Sequence, residues 1–391
     1  MSITLKSLYY ETKNKYKLKL IAGESGIDNV VSWFHFMEDE STINFIRGNE
    51  LIVTTGLGSK NNDWLDNLIK GLIKNHVCGL IINIGQYIKT IPDHTISYCN
   101  ENNFPLFIMP WEIHLVDIMQ DYCDKIINAK QTASNISSAF FNAIYYPDNI
   151  NLFKPPLKQE GYDLNGLFTI ISLELESSIY SKTSEISLKY FIINIEKILN
   201  SFSFKYSILL NDQDLTIIIN NSSATDIPQC LNILFNEYLK NQKSFNNMGV
   251  SLSSKGIDTL PKSFKEAKCA RYIAIKDNKC IVYYNDIGLY KLLFNINNKE
   301  ILVDLYNEYL GKLKEYDLIH KTDYLNILKL YINNNSSIQA VSEKTFTHRN
   351  TINYRIKKIK EILNTDLNNP KDKFNYMLAF YIEEMLNLNV T

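Results

Sequence analysis

Three short apolar runs alternate with helical patterns in the first 113 residues, and this alternation is the strongest constraint on the fold. The runs are Glu50–Thr55, Val77–Asn83 and Phe104–Met109, each of strand length and each bounded by turn-forming residues. Between the first two, Trp64, Leu65, Leu68, Ile69, Leu72 and Ile73 recur at helical spacing, and a second helical stretch runs from Pro92 to Asn102. Strand and helix in alternation predict βαβ units and a parallel sheet over residues 1–113. In open parallel sheets, ligands bind outside the carboxyl ends of the strands. Those ends are Thr54-Thr55-Gly56, Asn83-Ile84-Gly85-Gln86 and Pro110-Trp111. Thr54, Thr55, Gly56, Gly85, Gln86 and Trp111 are therefore the candidate small-molecule contacts. Trp111 is the better aromatic candidate because it directly follows a strand end; a place in the core or at the rim is the plainer alternative.

A chain of 391 residues is long enough for two to three domains, each with its own core. The formal charge of −1 excludes a protein that binds polyanions over its whole surface, so any basic site must be local. Six scattered cysteines (Cys78, Cys99, Cys123, Cys230, Cys269, Cys280) with no CxxC pair read as reduced, mostly buried thiols. The N-terminal stretch lacks the apolar segment of a signal peptide. No apolar run approaches the roughly 18 residues needed to span a bilayer. The expectation is a soluble cytoplasmic protein with no membrane partner.

Residues 114–146 read as one connector helix. Leu115, Met119, Tyr122, Ile126, Ala129, Ala133, Ile136, Phe140 and Ala143 follow 4–3 spacing, which fits either packing on the chain's own domains or a homodimer seam. Tyr145-Tyr146-Pro147 ends the helix, and Lys154-Pro155-Pro156 reads as a linker. Residues 161–285 form a second α/β unit: a strand at Leu167–Leu175, a helix at Ser184–Leu199 and a hairpin of Tyr206–Leu210 with Leu215–Ile219 around Asn211–Asp214. A helix at Pro228–Leu239, a strand at Met248–Leu252, a helix at Leu260–Ile275 and a strand at Ile281–Tyr284 follow. Residues 286–321 read as helical connectors.

Near the C-terminus the seventeen residues Lys344–Lys360 carry Lys344, Arg349, Arg355, Lys357, Lys358 and Lys360 and no acid, although the whole chain has only four arginines. Ile352, Ile356, Ile359 and Leu363 recur at helical spacing, so one face is apolar and the other basic. A short helix precedes this one, with Ser337 as N-cap and Ile338, Val341 and Ser342 inside it. Two short helices joined by a tight turn, the second basic, make a helix-turn-helix, here within 322–386. A basic helix packed on a core is the plainer alternative. The polar face is also rich in Asn, His and Tyr, which read base edges. The candidate contacts to double-stranded DNA are His348, Arg349, Asn350, Asn353, Tyr354, Arg355, Lys357 and Lys358. Asn369-Pro370-Lys371-Asp372 opens the last helix with an N-cap, a proline in the first turn and an early acid.

The stretch Ser337–Leu363, followed by Asn369–Ile382, closely resembles the C-terminal helix-turn-helix of the PucR family of bacterial transcription regulators, most specifically at His348–Arg355 (HRNTINYR). Phe346 departs from it where many such turns carry Gly, and Thr345 where an apolar residue is commoner. Gly23–Val31, Arg47–Gly58 and Asn103–Glu112 resemble the family's N-terminal sensory domain. That resemblance implies a small-molecule effector, in a family suggestive of purine or related nitrogen metabolism. The strand-helix-hairpin-helix-strand order of 161–285 is similar to GGDEF-type domains, and Ser263–Lys268 resembles a helix of the family's degenerate version.

A GGDEF cyclase needs glycines in its hairpin so that a nucleotide approaches the backbone, and carboxylates for Mg²⁺. Here the hairpin reads Asn211-Asp212-Gln213-Asp214, without glycine. Glu174 and Glu176 alternate on a strand, the pattern of a solvated face. The six histidines form no HExxH and no close cluster with Cys, and no GxSxG, P-loop or GxGxxG occurs. His114, near Glu112 and Asp117, reads as a surface or capping residue. No catalytic residue, metal or cofactor is therefore assigned. The expected fold class is α/β multidomain: a sensor with parallel strands, a GGDEF-like domain lacking the catalytic motif, and an all-α helix-turn-helix. The expected function is a homodimeric, effector-responsive regulator. The alternatives are an enzyme in the N-terminal α/β domain with an autoregulatory DNA-binding module, and a partner-binding scaffold, which would not retard specific DNA.

Overall fold

The computed structural model describes residues 3–59, 63–175, 185–223, 225–236, 247–296 and 298–387. It divides into two compact units, residues 1–283 and 284–391. The first is mixed α/β and the second helical.

The first unit opens with α1 (Leu5–Thr12), followed by β1 (Lys19–Ala22), β2 (Trp33–Phe36), β3 (Glu50–Thr54), α2 (Trp64–Lys74), β4 (Gly79–Ile84), α3 (Asp93–Glu101) and β5 (Leu106–Pro110). The sheet order is β1-β5-β4-β3-β2, with β2 to β5 mutually parallel and β1 antiparallel at the edge. β3 and β4 are buried along nearly their whole length, as strands covered on both faces must be. Alternation sorts the side chains. Ile52, Leu80, Ile82 and Leu106 meet Trp64, Leu65, Leu68, Ile69 and Leu72 of α2 on one face. Leu51, Val53, Ile81, Phe107 and Met109 meet α1 and the next helix on the other. The three expected strands are present; β1, β2 and α1 were not anticipated.

α4 (Leu115–Tyr145) is 31 residues long. Ile118, Tyr122 and Ile126 in its first half complete the core over the first sheet. Ile136, Ala139, Phe140, Ala143 and Ile144 in its second half pack on a second sheet. Of the two readings of the 115–143 stripe, packing on the chain's own domains accounts for Tyr122, Ile126, Ile136, Phe140 and Ala143, which are all buried within the chain itself, while Leu115, Met119, Ala129 and Ala133 are half-buried. One continuous helix lying across two sheets produces the same long apolar period that a coiled coil would. Lys154-Pro155-Pro156 is likewise not a linker but the first turn of α5 (Lys154–Gln159), where proline lacks only an N–H that would be unpaired anyway, and Leu157 is buried.

The second sheet contains β6 (Leu167–Glu174), β7 (Lys205–Asn211), β8 (Asp214–Asn220), β9 (Met248–Val250), β10 (Ser254–Lys255) and β11 (Ile281–Tyr283), in the order β11-β9-β6-β8-β7 with β10 paired to β6. Only β9 and β11 run parallel. α6 (Glu185–Leu199) and α7 (Asp226–Leu234) cover one face. α8 (Leu260–Lys276) and α4 cover the other. Ser184, Glu176 and the expected helix end at 237–239 lie outside the described residues. A Cβ at Gly249 would stand 2.1 Å from both Ala267 O and Arg271 N, so only glycine lets α8 lie directly on β9. The β7–β8 hairpin closes through Asp212-Gln213, with Asp212 at φ 51° as a two-residue turn demands. Burial pushes the thiols of Cys99, Cys230 and Cys269 up to about 12; Cys280 is exposed and Cys123 half-buried.

The second unit comprises α9 (Tyr290–Leu293), then α10 (Lys299–Tyr306), which runs through a π-helical turn at Asn307–Gly311 into α11 (Lys312–His320). α12 (Tyr324–Asn333), α13 (Ile338–Thr345), α14 (Arg349–Leu363) and α15 (Pro370–Asn387) complete it. The expected connector at 286–321 thus shares a unit with the helices that follow. Asp317 ties α11 to α12: its carboxylate accepts from Tyr324 N and Leu325 N, both at 2.9 Å, and from Thr322 Oγ1 at 2.6 Å. α14 packs on α11, α12 and α13, burying Ile352, Ile356 and Ile359. α15 starts at Pro370, and Asn369 Oδ1 accepts from Lys371 N at 2.9 Å. Among the described residues no helix is long and apolar enough to cross a membrane.

Candidate nucleic-acid interface and strand-end site

The carboxyl ends of β3, β4 and β5 lie side by side, and the residues expected there do gather. Gly56 sits against Ile88 and Tyr87, Tyr87 packs edge-on to Trp111 at 5.7 Å between ring centroids, and the Trp111 side chain lies against Gly85. Trp111 and Gln86 are exposed, while Thr54 and Thr55 are buried. The decisive residue is one the sequence did not indicate. The Glu38 carboxylate, just beyond β2, accepts from Thr55 N at 2.7 Å, Thr55 Oγ1 at 2.6 Å, Leu57 N at 2.9 Å and Thr54 Oγ1 at 3.2 Å. The strand-end donors form an anion cradle, and an internal carboxylate occupies it. Thr54 and Thr55, expected as small-molecule contacts, thus already donate to Glu38. No local signature marks Glu38 in the sequence, since its role comes from bringing the end of β2 beside the end of β3. A recess of about 520 Å³ lies elsewhere on this domain, lined by Lys15, Tyr16, Glu112, His114, Asp117 and Asp121 among others. Among the described residues no group of three His, Cys, Asp or Glu side chains is placed to hold a metal ion.

The helix-turn-helix is built by local capping. Ser337 Oγ accepts from Ala340 N at 3.2 Å and starts α13. Ser342 Oγ donates to Thr347 O at 2.6 Å, and Thr347 N donates to Ser342 O at 3.1 Å, closing the turn. Thr345 suits its polar position because its hydroxyl donates to Val341 O at 2.8 Å. Phe346 occupies the left-handed region at φ 51°, where Gly is usual, at a cost of roughly 1–2 kcal/mol for an L side chain. His348 Nδ1 accepts from Asn350 N at 3.2 Å, so this ring serves as the N-cap of α14.

Along α14 the apolar stripe faces inward, and Asn350, Tyr354 and Lys357 lie on the opposite face, flanked by Arg349 and Asn353. All five are exposed, Tyr354 at 66%. No hydrogen bond or ion pair joins any of these five side chains to another described residue. Arg355 is half-buried and its charge lies near the Tyr324 phenol. Lys358 is half-buried and paired with Glu361 at 3.1 Å, which holds its ammonium pKa up. The eight expected DNA contacts therefore divide into five outward side chains, one helix cap and two held partly by the fold.

Two comparisons with families agree with these two regions. Residues 10–126 match the purine catabolism regulatory protein-like family, PucR, and residues 324–382 match the PucR C-terminal helix-turn-helix domain. The N-terminal α/β region and the C-terminal helices are thus each similar to a PucR-type domain. Over 190 residues it is 26% identical to the DNA-binding transcriptional activator AdeR of Bacillus subtilis (strain 168), covering 46% of this chain and 45% of AdeR. It is 34% identical over 132 residues to that organism's proline-responsive transcriptional activator PutR, covering 32% of this chain and 31% of PutR. The similarity to its purine catabolism regulatory protein is 30% over 112 residues, covering 28% of this chain and 21% of that protein. The matches span less than half the length of each of these relatives. The crystal structure of a regulator of polyketide synthase expression from Bifidobacterium adolescentis aligns at a TM-score of 0.33 and 13% identity, covering 65% of this chain and 99% of that one.

Proposed function

We propose that this chain is a cytoplasmic DNA-binding transcription regulator whose N-terminal α/β domain responds to a small-molecule effector. The observation that carries the reading is the outward face of α14: Arg349, Asn350, Asn353, Tyr354 and Lys357 are exposed on a helix whose other face is fixed in a core. Arg forks onto guanine and Asn onto adenine in the major groove, while Lys meets phosphate. The effector is a small metabolite of nitrogen metabolism, by analogy with relatives described as proline-responsive or as a purine catabolism regulator. A second copy of the chain supplies the other half-site, through a surface other than the buried stripe of α4.

The second sheet fits a GGDEF-like module that has lost its chemistry. Its hairpin has no glycine, and Asp214 at the hairpin is engaged by Arg271 at 2.7 Å and Lys268 at 3.1 Å. That carboxylate is held within the fold rather than offered to a cation. The test is enrichment of duplexes from a randomised pool by the full chain, followed by titration of the enriched and scrambled duplexes. A recurrent sequence motif bound more tightly than its scramble supports the proposal. Equal affinity for both, or no retention, overturns it.

A further inference from the structure

Phe346 is the chain's most conspicuous unexplained side chain. It is 97% exposed, so no described residue covers it. It also holds φ 51°, a conformation that favours glycine and is an outlier for a bulky residue. A phenylalanine normally repays its place by burial, and here the chain gives it none while the backbone works against it. An observed outlier of this kind points outward, to a contact with something other than the chain.

Its position says what that contact is. Phe346 ends α13 and stands three residues before Arg349, so the two Cα atoms are at most about 11 Å apart. Lys344, Arg349, Asn350 and Lys357 are exposed around the turn and on α14, without an acidic residue between Lys344 and Lys360. The N-terminal residues of a recognition helix reach the base edges of the major groove. The thymine 5-methyl is the bulkiest apolar group on those base edges, and Phe is among the side chains that contact it. We propose that Phe346 is a specificity-determining residue that packs on a thymine methyl at the edge of the site read by α14. The inference rests on the DNA-binding reading and adds a base preference to it.

The experiment uses the full chain and a duplex enriched by the wild-type protein, with each thymine replaced in turn by deoxyuridine, which removes the methyl alone. Phe346→Gly and Phe346→Asn are the variants, since both residues accept the left-handed conformation. Wild-type binding should fall about fourfold at one thymine and little elsewhere, the worth of one buried methyl. In both variants that replacement should have no effect, while binding to the unmodified duplex is weaker than wild type and thermal stability is equal or higher. Variants that keep the wild-type response to deoxyuridine overturn the assignment, as does a wild type indifferent to every replacement. A wild-type chain without any sequence preference overturns the DNA-binding reading itself, and this inference with it. That outcome is distinct from a sequence-selective protein whose Phe346 variants behave as wild type.

Discussion

The strand-end loop of the first sheet and the outer face of α14 are both rich in hydrogen-bonding groups, yet they dispose of them in opposite ways. At the strand end, two N–H groups and two hydroxyls converge on Glu38. On α14, five polar or charged side chains face solvent with no bond to the described chain. Buried polar groups must be paired or they destabilise the fold. Exposed ones carry no such obligation and stay available to a partner. Convergent donors at a favourable place in the fold therefore do not by themselves make an open ligand site: what already occupies them decides.

This contrast predicts how strongly substitutions in each region act on stability. The largest effect belongs to the buried stripe of α4. Ile126 is 0% exposed, so Ile126→Lys buries a charge without a partner and should destabilise the first unit by more than about 4 kcal/mol in urea melts. A variant that melts like wild type but has half its mass by light scattering would return the stripe to a dimer interface.

Next comes Asp214, whose removal leaves the Arg271 guanidinium, 3% exposed, without its counter-charge. Asp214→Asn should cost about 3 kcal/mol. Burial alone raises the Asp214 pKa, but Arg271 and Lys268 outweigh it and hold the carboxyl below its ordinary 3.8. A carboxylate with a depressed folded pKa contributes stability above the unfolded value and loses it as pH falls through the folded one. The gap between wild type and Asp214→Asn should therefore be constant near neutrality and narrow as pH drops below about 3.8. A gap independent of pH would mean that the pair is not what the substitution breaks.

Much of the fold was legible because burial on both faces leaves a plain mark. β3, β4 and β5 read as continuous apolar runs, and α2 and α14 showed their stripes. β1 and β2 did not, because they are four-residue edge strands with exposed positions and little pattern to find. The α4 stripe was legible as a helix but left its partner open, since sequence periodicity records burial and not the partner that provides it. The outward residues of α14 were legible because charge concentrated there in an arginine-poor chain. Glu38 was not, because its role depends on bringing the end of β2 beside the end of β3, a tertiary fact with no local signature. His348 was seen as a base reader, and its capping role follows from the one-residue geometry of the helix start.

A middle case sharpens the comparison. Glu38→Gln keeps the size of the side chain and removes the charge that four donors share. Because Glu38 is half-buried and Leu57 exposed, water replaces part of what is lost, and the expected cost is about 1–2 kcal/mol. A stability equal to wild type would show that the cradle is held open without its carboxylate, and would reopen the strand end as a ready-made effector site.

On the same scale α14 should register least. Arg349→Ala, Asn353→Ala and Lys357→Ala remove exposed side chains and should leave stability within about 0.5 kcal/mol of wild type. Their effects should appear in DNA binding and divide by position along the helix. Arg349 at its start and Asn353 one turn on are placed for base edges, each good for about 1–3 kcal/mol of discrimination between enriched and scrambled duplexes. Lys357, a further turn along, is placed for phosphate. Its removal should weaken both duplexes alike and reduce the slope of log affinity against log salt by about one unit. A salt-series titration on both duplexes separates these outcomes. If Arg349→Ala loses the same factor on each duplex, then Arg349 is a phosphate contact and the reading face is centred on Asn350 and Tyr354 instead. If any of the three melts well below wild type, the side chain was engaged within the fold after all, and the contrast with the Glu38 cradle disappears.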